Sequence, residues 1–156
     1  MKLIECVPNI SEGRNEEIIN QITNTIKSNP ELHLLDVDPG FDTNRTVITF
    51  VGSPDHVIAG AFELIKKASE LIDMSIHKGA HARMGATDVC PLIPIKNITV
   101  KECIKYSKIL AKKVARELEI PTYLYEYSAK SKSRKNLANI RKGEYEGMFD
   151  KIKEKE

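Results

Sequence analysis

The order of apolar and polar positions divides the chain into strand-like and helix-like segments. Short stretches rich in β-branched and apolar residues, bounded by turn residues, are typical of strands. Five segments have this pattern and predict strands at residues 2–7, 33–37, 45–51, 89–95 and 121–126. Between them, apolar residues recur three and four positions apart, which places them on one face of a helix. The chain thus alternates between the two kinds of segment.

Residues that favour helix starts precede three of the helical segments. Asn15 stands just before the first apolar stripe, and asparagine is a favoured N-cap. Pro54 falls at the first position of the second helix, where its missing N–H is not needed. Thr99 and Glu102 form the Thr-x-x-Glu pattern of a capping box before the third. A further, basic helix is expected after residue 128.

The predicted order of elements is β-α-β-β-α, a loop, and then β-α-β. Its βαββαβ part is the split β-α-β, ferredoxin-like pattern. We therefore expect an α/β (α+β) fold, namely a ferredoxin-like sandwich with a mixed sheet, helices mostly on one face, and additional C-terminal helices. The other face of such a sheet needs a cover, which a later helix, a second domain or another subunit could supply.

Length and composition fit one globular domain. The chain has 156 residues, 41% hydrophobic and 29% charged. We place the core at residues 1–128 and a basic helical extension with a polar tail at residues 129–156. No apolar run approaches the roughly 20 residues that span a bilayer, and the N-terminus becomes polar too soon for a signal peptide. We therefore expect a cytoplasmic protein without a membrane partner, whose three widely spaced cysteines are core residues.

The charge distribution argues against nucleic-acid binding. Formal net charge is +2, and acidic and basic residues are mixed along most of the chain. The exception is the basic stretch SAKSKSRKNLANIRK at residues 128–142. It could be a solvated helix face or a contact surface for an anionic ligand or partner.

Three polar segments contain more charged, histidine and glycine residues than a connecting loop requires. They are VPNISEGRN at residues 7–15, DVDPGFDTNRT at residues 36–46, and HKGAHARMGATDVC at residues 77–90. Two of them directly follow predicted strands, where loops of sheet proteins often carry function. We expect all three to meet in one cleft.

The side chains of these segments suit proton transfer and carboxylate binding. Asp36 and Asp38 alternate along a strand, so both carboxylates point to one side, although they could merely cap turns or pair with Arg45. His77 and His81 can carry protons near neutral pH. They are four residues apart and could bind a metal if helical, but the glycine between them and the absence of HExxH argue against a metal. No phosphate-binding GxGxxG or GxxxxGK[ST] pattern is present.

Several longer motifs resemble a known family. ECVPNISEGRN, LLDVDPGFDTNRTVITFVG, LIDMSIHKGAHARMGATDVCPLIP and IRKGEYEG, in this order, are similar to the N-terminal subdomain of glutamate formimidoyltransferase, the formiminotransferase part of formimidoyltransferase-cyclodeaminase. The resemblance covers nearly the whole chain. It implies an α/β sandwich that transfers the formimino group of N-formimino-L-glutamate to N5 of tetrahydrofolate, with folate as co-substrate and no metal.

The resemblance also assigns residues. The family's catalytic histidine is the second histidine of an HxGxHPRMGAxDVCP motif, which places it at His81. We add Asp38 as a catalytic group that orients the imidazole or stabilises the cationic formimino group. Arg45 and Arg83 are our candidates for binding a carboxylate of either substrate. The remaining candidates for substrate binding are His77, Gly85 and Asn44.

Two features depart from the family pattern. Ala82 stands where the motif has proline, and proline would hold the preceding His81 in an extended conformation. The family's transferase also has a second subdomain, with folate between the two halves, and we expect that subdomain to start just past residue 156. A separate partner chain could supply it, and an uncovered sheet face predicts a homo-oligomer. The alternative is a non-catalytic module of the same fold that binds a small ligand or dimerises.

Overall fold

The computed structural model describes residues 1–154. The strands are, in chain order, β1 (Leu3–Cys6), β2 (Asn9–Ile10), β3 (Leu32–Gly40), β4 (Arg45–Gly52), β5 (Thr87–Val89) and β6 (Leu92–Lys96). The α-helices are α1 (Glu16–Lys27), α2 (Pro54–Leu71), α3 (Val100–Glu117), α4 (Leu137–Arg141) and α5 (Met148–Lys151), and two 3-10 turns, Glu126–Ser128 and Lys132–Arg134, precede α4. None of the helices within residues 1–154 is both long and apolar enough to cross a bilayer.

Strand β4 lies inside the sheet and organises it. It pairs with β3 along one edge and with β1 and β2 along the other. Strands β1 and β2 pair in turn with β6 and β5. From one edge of the sheet to the other, the order is therefore β3, then β4, then β1 and β2, and finally β6 and β5. With α1 and α2 as the connections, this is the predicted βαββαβ arrangement, and the α+β sandwich is confirmed.

The prediction of a mixed sheet is wrong. Every pair of neighbouring strands within residues 1–154 is antiparallel. The helical connection through α1 makes β1 and β3 run in the same direction, but β4 inserts between them. The parallel strands therefore never become neighbours.

Proline and hairpin geometry shift several strand boundaries. The predicted strand at residues 89–95 is split into β5 and β6 around Pro91, which has no N–H to donate to a ladder. Strand β3 continues to Gly40, which pairs with Arg45, so the turn is shorter than predicted. The two-residue strand β2 was not predicted from the pattern, because Pro8 separates it from β1.

The predicted strand at residues 121–126 is also wrong, because residues 119–125 form no regular structure. Glu119 and Glu126 have φ angles of 57° and 51°, in the left-handed region, which ends extended backbone on both sides of the segment. Its aromatic side chains line a cavity described below.

The helix starts are those that the sequence predicts. The Asn15 side chain accepts hydrogen bonds from the N–H groups of Glu17 and Ile18. Both hydrogen bonds of the Thr99–Glu102 capping box are formed. Helices α1, α2 and α3 contribute to one hydrophobic core with the inner face of the sheet; its members include Ile4, Ile22, Ile26, Ile48, Phe50, Leu64, Ala68, Cys103 and Leu110.

The two faces of the sheet differ in burial. On β4, Thr46, Ile48 and Phe50 point to the helices and are fully buried. The alternating residues are half-buried, and Leu35 on β3 and Ile95 on β6 are 58% and 54% exposed. This part of the outer face is therefore without a cover among residues 1–154. The boundary at residue 128 stays a prediction, and residues 155 and 156 of the predicted tail lie outside the described part.

Candidate active site

The three polar segments are in contact, and Asn44 joins them. Its side chain is buried and its φ angle is 49°. The amide oxygen accepts the N–H of Gly13 at 2.9 Å, and the amide nitrogen donates to the carbonyl of Lys78 at 3.0 Å. The Asn44 carbonyl lies 2.9 Å from Nε2 of His77, which therefore carries the hydrogen. One residue thus ties the β3–β4 turn to both other segments.

Two glycines allow this close approach. A Cβ atom on Gly79 would lie 2.2 Å from the carbonyl oxygen of Thr43, and one on Gly13 would lie 2.2 Å from that of Gly40. Neither obstacle is a flexible side chain, so backbone would have to move. At Gly85, by contrast, a Cβ atom would only meet the Thr87 carbonyl at 3.6 Å.

We expect Gly79→Ala to destabilise the chain by roughly 1–3 kcal/mol, the usual cost of overpacking. The reason is the clash with the Thr43 carbonyl, which would push the His77 segment off the β3–β4 turn. Urea unfolding followed by circular dichroism measures this difference. Gly85→Ala is the matched control and should cost clearly less. Equal unfolding midpoints for the two variants would contradict the packing argument.

His81 is half-buried and lines a pocket of about 630 Å³. Its Nδ1 lies 2.5 Å from the carbonyl oxygen of Ala82 and 3.4 Å from Nη1 of Arg45. A carbonyl only accepts and a guanidinium only donates, so Nδ1 cannot satisfy both. The shorter contact decides, and Nδ1 carries the hydrogen. The lone pair is then on Nε2, for which no hydrogen-bond partner occurs within residues 1–154.

Arg45 is held beside His81 by a buried ionic cluster. Its Nη1 lies 2.5 Å from Oδ2 of Asp88, and Nη2 of Arg141 lies 2.5 Å from the same oxygen. Oδ1 of Asp88 accepts the N–H of Met84 at 2.8 Å, and Nε of Arg45 donates to the side chain of Asn9 at 3.1 Å. The Asp88 carboxylate is fully buried. A buried carboxylate with two guanidinium partners and a backbone donor is well compensated.

The sequence reasoning did not assign Asp88 or Arg141 to the site. They are 53 positions apart, and no local pattern joins them. One signal was available for each. Asp88 is a charged residue at the start of an apolar strand, and Arg141 belongs to the motif IRKGEYEG within the basic stretch.

Asp38 lies on the outer face of the sheet and is exposed. It pairs with Val47, while Arg45 pairs with Gly40. Residues two apart on a strand share a face, so Asp38 and Arg45 project from the same side of the sheet. Asp36 pairs with Thr49 on that side as well, as the alternation predicts. The Asp38 carboxylate makes no hydrogen bond within residues 1–154.

The remaining predicted substrate-binding residues make contacts inside the chain. Nη2 of Arg83 donates to Glu146 at 2.6 Å. The carbonyl of Gly85 accepts the Ser11 hydroxyl at 2.8 Å, while His77 and Asn44 join the polar segments as described above. Their contact with substrate stays a prediction. No group of three or more His, Cys, Asp or Glu side chains placed to hold a metal occurs in the described part of the chain.

A second, larger cavity of about 990 Å³ lies between β6, α3 and the segment of residues 120–128. Its lining is mostly apolar and includes Tyr125 and Cys90. The Cys90 thiol lies 3.6 Å from that of Cys6, which is fully buried, and both cysteines are free. Burial raises the pKa of Cys6 well above its usual value, as expected for an unreactive core thiol.

Burial also raises the pKa of the Tyr125 phenol, from 10.0 to about 12. The folded state thus favours the neutral phenol, so the stability tied to this proton is complete below pH 10 and is lost as the pH rises towards 12. We expect tyrosinate absorbance to show one phenol that ionises near pH 12. Tyr125→Phe should remove that step, and its persistence in this variant would contradict the assignment. Ellipticity recorded in parallel marks where the fold is lost.

Comparison with known proteins identifies the family of the chain. The family model described as the formiminotransferase domain, N-terminal subdomain, matches residues 3–156. The formimidoyltransferase-cyclodeaminase of Dictyostelium discoideum is 51% identical over 153 residues, which are 98% of this chain and 28% of the relative. The glutamate formimidoyltransferases of Streptococcus pyogenes serotype M1 and Thermoplasma acidophilum are 50% and 42% identical, covering 99% of this chain and 52% of each relative.

The chain therefore spans about half or less of the length of these relatives. The matched range, residues 3–156, nevertheless contains the three polar segments together with His81 and Asp88. The chain belongs to the family of formiminotransferase-domain N-terminal subdomains.

Proposed function

We propose that this chain is the N-terminal subdomain of a glutamate formimidoyltransferase and supplies its acid–base histidine. The reaction is transfer of the formimino group from N-formimino-L-glutamate to N5 of tetrahydrofolate, as part of histidine breakdown. The relatives from Streptococcus pyogenes and Thermoplasma acidophilum are glutamate formimidoyltransferases, which supports the reaction class. The observation that carries the proposal is the His81 imidazole, which lines a pocket and keeps its Nε2 without a partner among residues 1–154.

The chemistry needs a group that both takes and gives a proton. N5 of tetrahydrofolate attacks the formimino carbon, and a positively charged nitrogen results in a tetrahedral adduct. Nε2 of His81 removes the proton from N5. The same proton then passes to the glutamate nitrogen, whose bond to carbon breaks, so that glutamate leaves and the amidine forms on N5. A positioned imidazole is suited to both steps, because one ring nitrogen can accept a proton and then donate it.

The neighbours of His81 have distinct roles in this proposal. The Ala82 carbonyl fixes the Nδ1–H tautomer and so directs the lone pair of Nε2 to the substrate. Asp38 has no internal hydrogen bond to break within residues 1–154 and lies on the same face of the sheet as Arg45. It is free to turn towards the cationic formimino group.

The two arginines that could bind a substrate carboxylate differ in the ion pair that each would have to break. Arg83, whose side chain is 15% exposed, pairs with Glu146, whose side chain is 64% exposed, so the carboxylate released by an exchange is already largely in water. Arg45 pairs with the fully buried Asp88, and breaking that contact would leave a carboxylate less compensated. We therefore assign a substrate carboxylate to Arg83, while Arg45 remains beside His81.

The partners and setting of the protein are proposals too. The outer face of the sheet, which carries the exposed Leu35 and Ile95, suits contact with a second transferase subdomain, since the relatives are longer. We further propose a cytoplasmic homo-oligomer. A strictly monomeric protein in sedimentation equilibrium would contradict that assembly.

The test of the activity is complementation. In a hybrid enzyme, this chain replaces the matching 155 residues of the Streptococcus pyogenes relative. The hybrid should transfer the formimino group to tetrahydrofolate if the chain provides a working half of the site. A folded hybrid without transfer activity would favour the alternative, a non-catalytic binding module.

A further inference from the structure

The motif IRKGEYEG at residues 140–147, which contains the Arg141 and Glu146 described above, forms an unusual turn. Helix α4 ends at Arg141, and Gly143 and Glu144 follow with φ angles of 88° and 52°. The N–H of Gly147 donates to the Gly143 carbonyl at 2.8 Å. A Cβ atom on Gly147 would lie 2.9 Å from Cα of Gly143. The glycines are therefore needed for the tight closure of the turn.

Helix α5 supports this turn from behind. The ammonium group of Lys151 donates to the carbonyls of Lys142, at 2.7 Å, and of Ile140. These carbonyls belong to the end of α4, where no further helical turn can satisfy them. Burial lowers the pKa of Lys151, in keeping with an ammonium group drawn into the protein. Ile140 is buried and anchors α4 in the structure.

The turn holds the loop of His81 at three points. Arg141 binds the buried carboxylate of Asp88 at 2.5 Å. The carboxylate of Glu144 accepts the backbone N–H of Arg83 at 2.9 Å, and Glu146 accepts from the Arg83 guanidinium at 2.6 Å. All three contacts come from a segment of six residues and reach the loop just after His81.

The loop is fixed on the other side of His81 as well. The N–H of Ala80 donates to the Asp42 carbonyl at 3.1 Å. The backbone N–H groups of Ala80 and Arg83 are thus both hydrogen-bonded outside the loop, and only His81 and Ala82 lie between them. Fixing the backbone on both sides limits where the imidazole can go.

We propose that residues 141–146 form a clamp that positions His81 for proton transfer. Arg141 acts through Asp88, because it binds one oxygen of that carboxylate while the other oxygen accepts the N–H of Met84 at 2.8 Å, three residues after His81. Glu144 acts through the backbone of Arg83. Both are positioning residues. Glu146 contributes less, because its side chain is 64% exposed. The catalytic consequence rests on the proposed function, whereas the positioning itself does not.

The positioning is tested on the chain itself by ¹⁵N NMR of the histidine side chains. The His81 signals are assigned by their loss in His81→Gln. In the wild type, we expect the Nδ1–H tautomer that the Ala82 carbonyl imposes. In Arg141→Gln and in Glu144→Ala, the signals should shift towards the averaged tautomers of a free imidazole. His56, on α2, should keep its signals in both variants.

Two matched substitutions separate positioning from loss of fold. Glu144→Gln keeps an acceptor oxygen for the Arg83 N–H and should restore the wild-type signature of His81. Glu70→Ala removes an exposed carboxylate on α2 and should leave it unchanged. Unaltered His81 signals in folded Arg141→Gln and Glu144→Ala would overturn the proposal. So would a failure of Glu144→Gln to differ from Glu144→Ala.

In the hybrid enzyme, Arg141→Gln should lower kcat with little change in KM, whereas Glu144→Ala also releases the backbone of the substrate-binding Arg83 and should change both. A misplaced catalytic group can cost roughly 100-fold in rate, and that is the loss expected for Arg141→Gln. A loss confined to KM would contradict positioning of His81. If the wild-type hybrid has no activity but the NMR signature responds as expected, the clamp stands and the proposed function fails.

Discussion

Replacing His81 by alanine is expected to lower kcat/KM for formimino transfer by roughly 10²–10⁴-fold, the usual contribution of a positioned general acid–base group. The reason is that Nε2 of His81, which has no hydrogen-bond partner among residues 1–154, carries the proton from N5 to the leaving nitrogen in the proposed reaction. The measurement is initial-rate kinetics of the hybrid enzyme, with and without the substitution.

The control for this experiment is His33→Ala. His33 is exposed and pairs with Val51 in the sheet, so its loss removes an imidazole without touching the pocket. The circular dichroism spectra of both variants should match that of the wild type. If His81→Ala retained more than about a tenth of the activity, acid–base catalysis by this residue could not supply the factor expected of it.

Replacing Asp88 by alanine should destabilise the fold by about 3–5 kcal/mol, which is the cost of removing one partner from a buried ionic cluster. Two guanidinium groups, with side chains only 11% and 18% exposed, would lose their shared carboxylate. For a chain of this size, each 1 kcal/mol corresponds to roughly 2–4 °C in the melting temperature. Urea unfolding of the isolated chain measures the effect directly.

Two further variants show whether the loss comes from the cluster. Asp88→Asn keeps the size of the side chain and an acceptor for the Met84 N–H. It should therefore lower the free energy of unfolding by less than Asp88→Ala does. Asp150→Ala breaks an ion pair with Lys153 in which Asp150 is 90% exposed, and it should change stability by no more than about 0.5 kcal/mol. Similar unfolding midpoints for Asp88→Ala and Asp150→Ala would show that the buried cluster stabilises the fold no more than an exposed ion pair does.

The helices could be predicted from the sequence because their determinants are local. Asn15 and the Thr99–Glu102 capping box lie within a few residues of the N–H groups that they satisfy, and they form as expected. The strand order is not local. Whether β4 lies between β1 and β3 depends on pairing across the whole chain, and the pattern along β1 is the same in a mixed or an antiparallel sheet.

Residues 121–126 show a second limit. A β-branched and aromatic composition indicates that side chains are suited to a half-buried surface, rather than that a partner strand is present. Here Tyr125 is half-buried and lines a cavity, and positive φ angles at Glu119 and Glu126 end the extended backbone. No sequence pattern predicts that the backbone of a glutamate adopts the left-handed conformation.

The site was predicted in part for the same reasons. The crowding of polar residues indicated that three segments meet, and contacts through Asn44 confirm it. The role of His81 came from the resemblance and stays a proposal. The ionic cluster of Asp88 with Arg45 and Arg141 escaped prediction, because its partners come from positions far apart in the sequence.

The central claim is that this chain provides the acid–base half of a formimino transfer site. The most direct test is to give the hybrid enzyme N-formimino-L-glutamate labelled with ¹³C at the formimino carbon, together with tetrahydrofolate, and to follow the label by NMR. Our account predicts that the label moves to N5 of the folate at a rate that depends on His81. A label that remains on glutamate, in a folded hybrid that binds both substrates, would contradict it.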